Sequence, residues 1–347
     1  MRTKNDIIVK DFVIRFDLQM FADPNPNTNV TTAATTGNNL SPTMKTFYRT
    51  SLLQNARNEH YFAQFGQKQS LPKNGGNKVE WRKFKTYAKA MTPLTEGVTP
   101  DGNKVDMIKI EGEINQYGDY TTISDRLELE AVDPVITAVT EEHGAQAGDT
   151  MDTVIRNEVI TGTNVIYAGA KTSRATLGVA DTLTSELVNQ AATFLKKQHA
   201  PKINGDYVAI IHPSQAYDLR QSSDWLDVHK YAQPGEIYNG EIGKLHGVRF
   251  IENTETKIWK GTTDGCAADT CVYGAVFLGK DAYGIIDPSA ENLEVIVKQR
   301  GSAGTADPLD QRSTVGWKGS EGAKILYQER MVRVETGSFF SKTDDAN

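Results

Sequence analysis

The nearest approach to a ligand-binding pattern in this chain is Gly274-Ala-Val-Phe-Leu-Gly279-Lys280-Asp281, which has the G-x4-G-K spacing of a phosphate-cradling loop. Such a loop needs Ser or Thr after the lysine to hold Mg2+, and Asp281 stands there instead. Ala275, Val276, Phe277 and Leu278 suit a strand interior, so nucleotide binding is not expected. Gly240, Gly243 and Gly247 lack the G-x-G-x-x-G spacing and read as turn residues. His60, His143, His199, His212, His229 and His246 form no H-E-x-x-H or similar pair, and each reads as a structural or exposed histidine. Glu141, Glu142 and His143 are adjacent, and adjacent helical positions do not share a face, so they make a poor acid/base or metal constellation. Cys266 and Cys271 supply half the ligands of a structural zinc site, have no nucleophile signature, and read as plain thiols. No G-x-S-x-G elbow occurs. No catalytic residue, cofactor or metal ligand is therefore expected.

The elements around these residues carry more information. The chain has 347 residues and a formal charge of -6, which does not suit a protein whose main task is to coat nucleic acid. Lys10, Asp11, Arg15 and Asp17 interrupt the early apolar run, so neither a signal peptide nor a membrane span is expected. Residues 23–42 are rich in Asn, Thr and Pro and poor in apolar side chains, which predicts an arm that is mobile in isolation. Met20 offers a second start, so residues 1–19 read either as an upstream extension or as part of the fold. Phe47, Leu52, Ala56, Tyr61, Phe62 and Phe65 keep a helical spacing over 43–65.

Strand patterns follow at 78–88 and 105–114, separated by a turn-rich stretch. Ile108, Ile110 and Ile114 face one way, with Lys109, Glu111 and Glu113 opposite. The pattern predicts a long two-stranded ribbon, which is marginal alone and needs another surface to support it. Its charge is segregated: residues 68–89 hold seven bases and one acid, residues 101–130 eight acids and three bases. Two readings stand side by side. Either the charges pair across the ribbon on a solvated face, or Lys78, Arg82, Lys83, Lys85 and Lys89 form a cationic subunit-contact face laid over an acidic neighbour.

Asp133 and Pro134 open a helix that runs to about Ile160, roughly 40 Å at the usual rise. A helix over 184–198, a buried strand at 207–211 and a helix from His212 through Leu219 come next. Further strands are expected at 247–253, 272–279, 293–299 and 324–336. Helices and strands mixed without βαβ repetition indicate an α+β chain.

This order of parts, with FADPNPNTNVTT, LTEGVTPDG, YVAIIHPSQAYDLR, NGEIGKLHGVRFIEN, FLGKDAYGIID and VGWKGSEGAKILYQERMVRVET, resembles the major capsid proteins of tailed double-stranded DNA bacteriophages and prophages. The resemblance covers about residues 20–340. It implies an N-terminal extension and arm (1–43), an N-terminal helix (44–66) and an extended β-hairpin loop (67–120). It also implies a peripheral domain with a spine helix (121–179 and 291–347) and an axial domain (180–290). The implied function is self-assembly, in the host cytoplasm, of the icosahedral virion shell. The implied partners are other copies in pentamers and hexamers, the portal, scaffold or cement proteins, and packaged DNA by weak nonspecific contact, with no membrane and no cofactor. Some relatives crosslink neighbours by a Lys-Asn isopeptide bond, but no residues for one are identified here. The alternatives are an encapsulin-like nanocompartment shell and an enzyme with an unrecognised site.

Overall fold

The computed structural model describes residues 28–29, 61–72, 76–99, 101–131, 134–222, 225, 243–288, 293–302, 307–342 and 344–347. Nearly all of the expected arm, most of the 44–66 helix, Lys73, His60, His229 and Gly240 lie outside the described residues. In chain order the elements begin with β1 (Thr28–Asn29), α1 (Phe62–Phe65), β2 (Gln67–Leu71), β3 (Lys78–Phe84), β4 (Met107–Glu113) and β5 (Asn115–Ser124). They continue with α2 (Asp125–Glu130), α3 (Val135–Ile160), β6 (Val165–Tyr167), α4 (Ser185–Lys197), β7 (Tyr207–Ile211), α5 (Pro213–Arg220), β8 (Lys244–Leu245) and β9 (Val248–Glu252). The last are β10 (Ile258–Lys260), β11 (Cys271–Leu278), β12 (Tyr283–Pro288), β13 (Glu294–Lys298), β14 (Arg312–Ile325) and β15 (Met331–Thr336).

The chain divides into two compact units. The smaller comprises Tyr120–Glu141, Ile296–Gly316 and the described part of Met1–Leu53. There β1 pairs in parallel with the end of β5, Thr28 opposite Thr122. Ser124 ends that strand and starts α2, its Oγ accepting from the Leu127 amide at 3.2 Å. Leu127 then packs with Ile123, Val135 and Val315 into a small core.

The larger unit comprises Gln54–Asp119, Glu142–Val295 and Trp317–Asn347. Its centre is a seven-stranded sheet in the order β6-β15-β11-β7-β9-β8, with β10 also on β11. Every residue of β11 is buried, which explains its unbroken apolar run. Leu187, Val188, Ala191, Ala192 and Leu195 of α4 recur at helical spacing and join the core that includes β7 and β11. Thr184 caps that helix, and Lys196 and Lys197 sit in its last turn, where they favour the helix dipole.

One strand expected from the pattern is two. Residues 324–336 contain the end of β14, which pairs with β12, then a 3-10 turn at Gln328–Arg330, and then β15 in the seven-stranded sheet. The break comes where the Leu326 and Tyr327 amides both turn to the Ala282 carbonyl, which takes the chain off the β14 ladder. Strands β2 and β12, parallel partners, and β14 over most of its 14 residues were not anticipated from pattern alone. The long helix appears as α3, with 26 residues that run through Gly144 and Gly148 unbroken.

Glu335, in the same sheet, is fully buried and ion-paired. Its carboxylate accepts from Arg174 at 2.7 and 2.8 Å and from Arg333 Nε at 2.7 Å. The Arg174 guanidinium also lies 3.7 Å over the Trp259 ring, so the charge is held between a carboxylate and an indole.

Candidate assembly surface

The ribbon expected at 78–88 and 105–114 is the antiparallel pair β3–β4, with Lys78 opposite Glu113, Trp81 opposite Ile110 and Phe84 opposite Met107. Along β4, Ile108 and Ile110 are half-buried while Lys109, Glu111 and Glu113 are exposed, as the alternation requires. The register decides where the charges go. Lys78 meets Glu113 at 2.7 Å, Lys109 meets Glu80 at 2.7 Å and Glu111 at 2.6 Å, Arg82 meets Glu80 at 2.6 Å, and Lys85 meets Asp106 at 3.2 Å. The hydrogen bond that Lys78 donates to Glu113 raises the Lys78 pKa, and those that Glu80 accepts from Lys109 and then Arg82 lower its own. These pairs are solvent-exposed and screened, so each contributes little to the stability of the hairpin.

Of the five candidate contact residues, Lys78, Arg82 and Lys85 therefore have carboxylate partners within the hairpin. Lys83 stands 4.5 Å over the Tyr327 ring, whose other cationic neighbour is Arg330 at 3.7 Å. Lys89 is exposed.

Two features of this surface escaped the sequence reading. One is the root. The half-buried Trp81 indole lies against Gly112 of β4 and Gly284 of β12, so closely that a Cβ on either glycine would stand 2.7 Å from a ring carbon. No glycine spacing announces this, because the residues that meet are far apart in the chain. The other is the segment between the strands. Phe84, Tyr87, Met91, Leu94, Val98, Val105 and Met107 are between 52% and 81% exposed, an apolar row that the hairpin itself does not bury. The signal was present as apolar residues among turn formers, but the charges next to them were more conspicuous.

The residues with chemical potential are used structurally. The Gly279 amide donates to the Arg330 carbonyl at 2.7 Å and the Lys280 amide to that of Pro201 at 2.9 Å, so neither is available to a phosphate. Gly274 lies in β11 against the Trp259 ring, where a Cβ would stand 2.7 Å from the indole. His143 hydrogen-bonds Gln146 at 3.1 Å, and His246 hydrogen-bonds Ser185 at 3.1 Å. His212 is the N-cap of α5, its Nδ1 accepting from the Ser214 amide, and burial pushes its pKa down to about 4. Glu141 and Glu142 are exposed. Both cysteines are free and buried; burial pushes the Cys266 thiol up to about 11, and the Cys271 Sγ donates to the Lys342 and Asp344 carbonyls. Among the described residues, no group of His, Cys, Asp or Glu is arranged to hold a metal ion, and no helix is long and apolar enough to cross a membrane.

The described residues form a mixed helix-and-strand fold with a long hairpin. The capsid structure of Cyanophage P-SCSP1u is similar over 92% of this chain and 99% of its own, with a TM-score of 0.66 at 14% identity. The capsid of Ralstonia phage GP4 is similar over 88% and 97%, with a TM-score of 0.63 at 15% identity. The capsid of Cyanophage Pam1 is similar over 86% and 97%, with a TM-score of 0.66 at 13% identity. None of the curated proteins matches the sequence. The family model described as phage capsid protein matches residues 109–334, more than half of the chain. The chain belongs to the phage capsid protein family: it is a capsid protein, a structural part of the virion.

Proposed function

We propose that copies of this chain assemble into pentamers and hexamers through the hairpin arm, whose apolar segment lies on a neighbouring copy. The exposed row from Phe84 to Met107 carries the reading: seven large apolar side chains remain in solvent on an element with little core of its own. Burying one Leu-sized side chain against a neighbour is worth about 1.5–3 kcal/mol, far more than an exposed ion pair. The cationic face of Lys78, Arg82, Lys83, Lys85 and Lys89 then acts beside the apolar row, over acidic groups of the neighbouring copy.

In this scheme residues 67–120 are the extended loop, 121–179 and 291–347 the peripheral domain around α3, and 180–290 the axial domain. The shell encloses double-stranded DNA that it touches weakly and nonspecifically, consistent with the net charge of -6. It joins a portal, with scaffold or cement proteins as further partners, and assembles in the host bacterial cytoplasm.

The test is particle formation by the full chain, followed by light scattering and negative-stain microscopy. Met91→Ser with Leu94→Ser is expected to leave a folded, soluble subunit that makes no closed particles. Lys83→Glu with Lys85→Glu is expected to lower the yield of shells and their resistance to dilution. Normal shells from the first pair would refute the apolar contact, and normal shells from the second would refute the ionic one.

A further inference from the structure

Strand β2, which precedes the hairpin in the larger unit, borders a cavity of about 250 Å³. Lys68 of β2, Met151 and Ile155 of α3, Asp287 of β12 and Glu321 of β14 are among its lining residues. A carboxylate here is costly. Glu321 Oε1 is buried and accepts no hydrogen bond from the described residues, while the Gly322 amide bonds the carboxylate from its own strand. Charged groups face it from three other elements: Asp287 from β12, Asp152 from α3 and Lys68 from β2. Asp152 is itself buried and accepts from the Ala63 amide of α1 at 3.1 Å. Two anions against one cation leave Glu321 better accommodated when it is neutral.

We propose that Glu321, Asp287, Asp152 and Lys68 form a proton-operated latch at the root of the hairpin arm: protonating Glu321 tightens the joint of β2, β12, β14 and α3, and ionising it loosens the joint. This rests on the shell reading for its consequence, a subunit whose arm is held more firmly in acid than in base, but the latch itself belongs to the single chain. Burial first, and the Asp287 charge second, push the Glu321 pKa up from 4.5 to about 7. The sign follows from linkage. The folded state holds the proton more tightly than the unfolded state, so stability is greatest below about 4.5, falls as pH rises toward 7, and levels off above it.

The experiment is thermal melting of the full chain at closely spaced pH values from about 4 to 8.5, with particle mass by light scattering in each sample. In the wild type the melting temperature is expected to fall as pH rises from about 4.5 and to level off near 7. Glu321→Gln should abolish that decline. Asp287→Asn should keep it but end it at lower pH, and Lys68→Met should extend it to higher pH. A decline that persists in Glu321→Gln, or an end point that ignores Asp287→Asn, overturns the latch. The melts report on the subunit and the light scattering on assembly, so absence of particles at every pH counts against the shell reading alone and leaves the latch decided by the melts.

Discussion

Replacing Gly284 by alanine tests whether the Trp81 seat aims the arm. The added Cβ would stand 2.7 Å from one indole carbon and 3.0 Å from another, where ordinary contact begins near 3.4 Å, so the ring must move by about 0.7 Å. The Leu326 Cδ1, 3.3 Å from the same Cβ, is a further close neighbour. Overpacking of this kind costs about 1–3 kcal/mol. Alanine recovers about 0.5–1 kcal/mol of chain entropy relative to glycine within a strand. The net loss to the subunit is therefore about 0–2.5 kcal/mol, a fall of a few degrees in melting temperature at most.

Assembly should suffer more. Trp81 belongs to β3, and the seven register pairs of β3 with β4 transmit any shift of the ring's strand along the whole hairpin. A misdirected arm weakens the same contact in every subunit, and each 1.4 kcal/mol per contact changes its association constant tenfold. The expected result is a melting curve close to wild type together with at least a tenfold rise in the concentration needed for closed particles, read by light scattering. Trp81→Phe in the Gly284→Ala background should restore part of the assembly, because the smaller ring clears the new methyl group. Shells that form at the wild-type concentration would refute the idea that this seat orients the arm.

Two further outcomes follow from buried charge. Glu335→Gln should destabilise the subunit by about 3–5 kcal/mol in urea unfolding, since Arg174 and Arg333 lose their shared buried carboxylate; a loss under 1 kcal/mol would mean that solvent compensates those guanidinium groups. His212 is held neutral in the fold, with its pKa down from 6.5 to about 4, so its contribution is present above 6.5 and is lost as pH falls toward 4. His212→Asn keeps a capping acceptor without the titration, and it should flatten that acid limb of the melting profile; an unchanged limb would assign it to other groups.

The parts that could be read from the chain are those governed by neighbours in sequence. Strand β7 and helices α4 and α5 appear close to their expected bounds because Thr184 and His212 cap locally and the apolar spacing covers a full turn or strand. The ribbon was legible through the alternation around Ile108 and Ile110. Strand β2 was not, because QKQSL has no apolar pattern and takes its place by parallel pairing with β12, more than two hundred residues away. The single strand expected at 324–336 failed for a similar reason: the two halves are equally strand-like, and only their different partners, β12 and β11, separate them.

The candidate contact face divides the same way. Composition alone placed opposite charges on the two limbs of the ribbon and left open whether they would pair with each other or with a neighbouring copy. Register supplied pairs within the chain, because it put Lys78 opposite Glu113 and brought Lys85 to Asp106. Sequence by itself determined the α+β class, the hairpin, the long helix and the lack of any catalytic motif, all of which depend on residue type and short-range spacing. Only the tertiary structure decided that Trp81 seats on Gly112 and Gly284, that Glu335 is shared by two arginines, and that Glu321 faces Asp287 and Asp152. Those meetings join residues far apart in the chain, and burial and electrostatic energies depend on distance in space, which one-dimensional spacing does not encode.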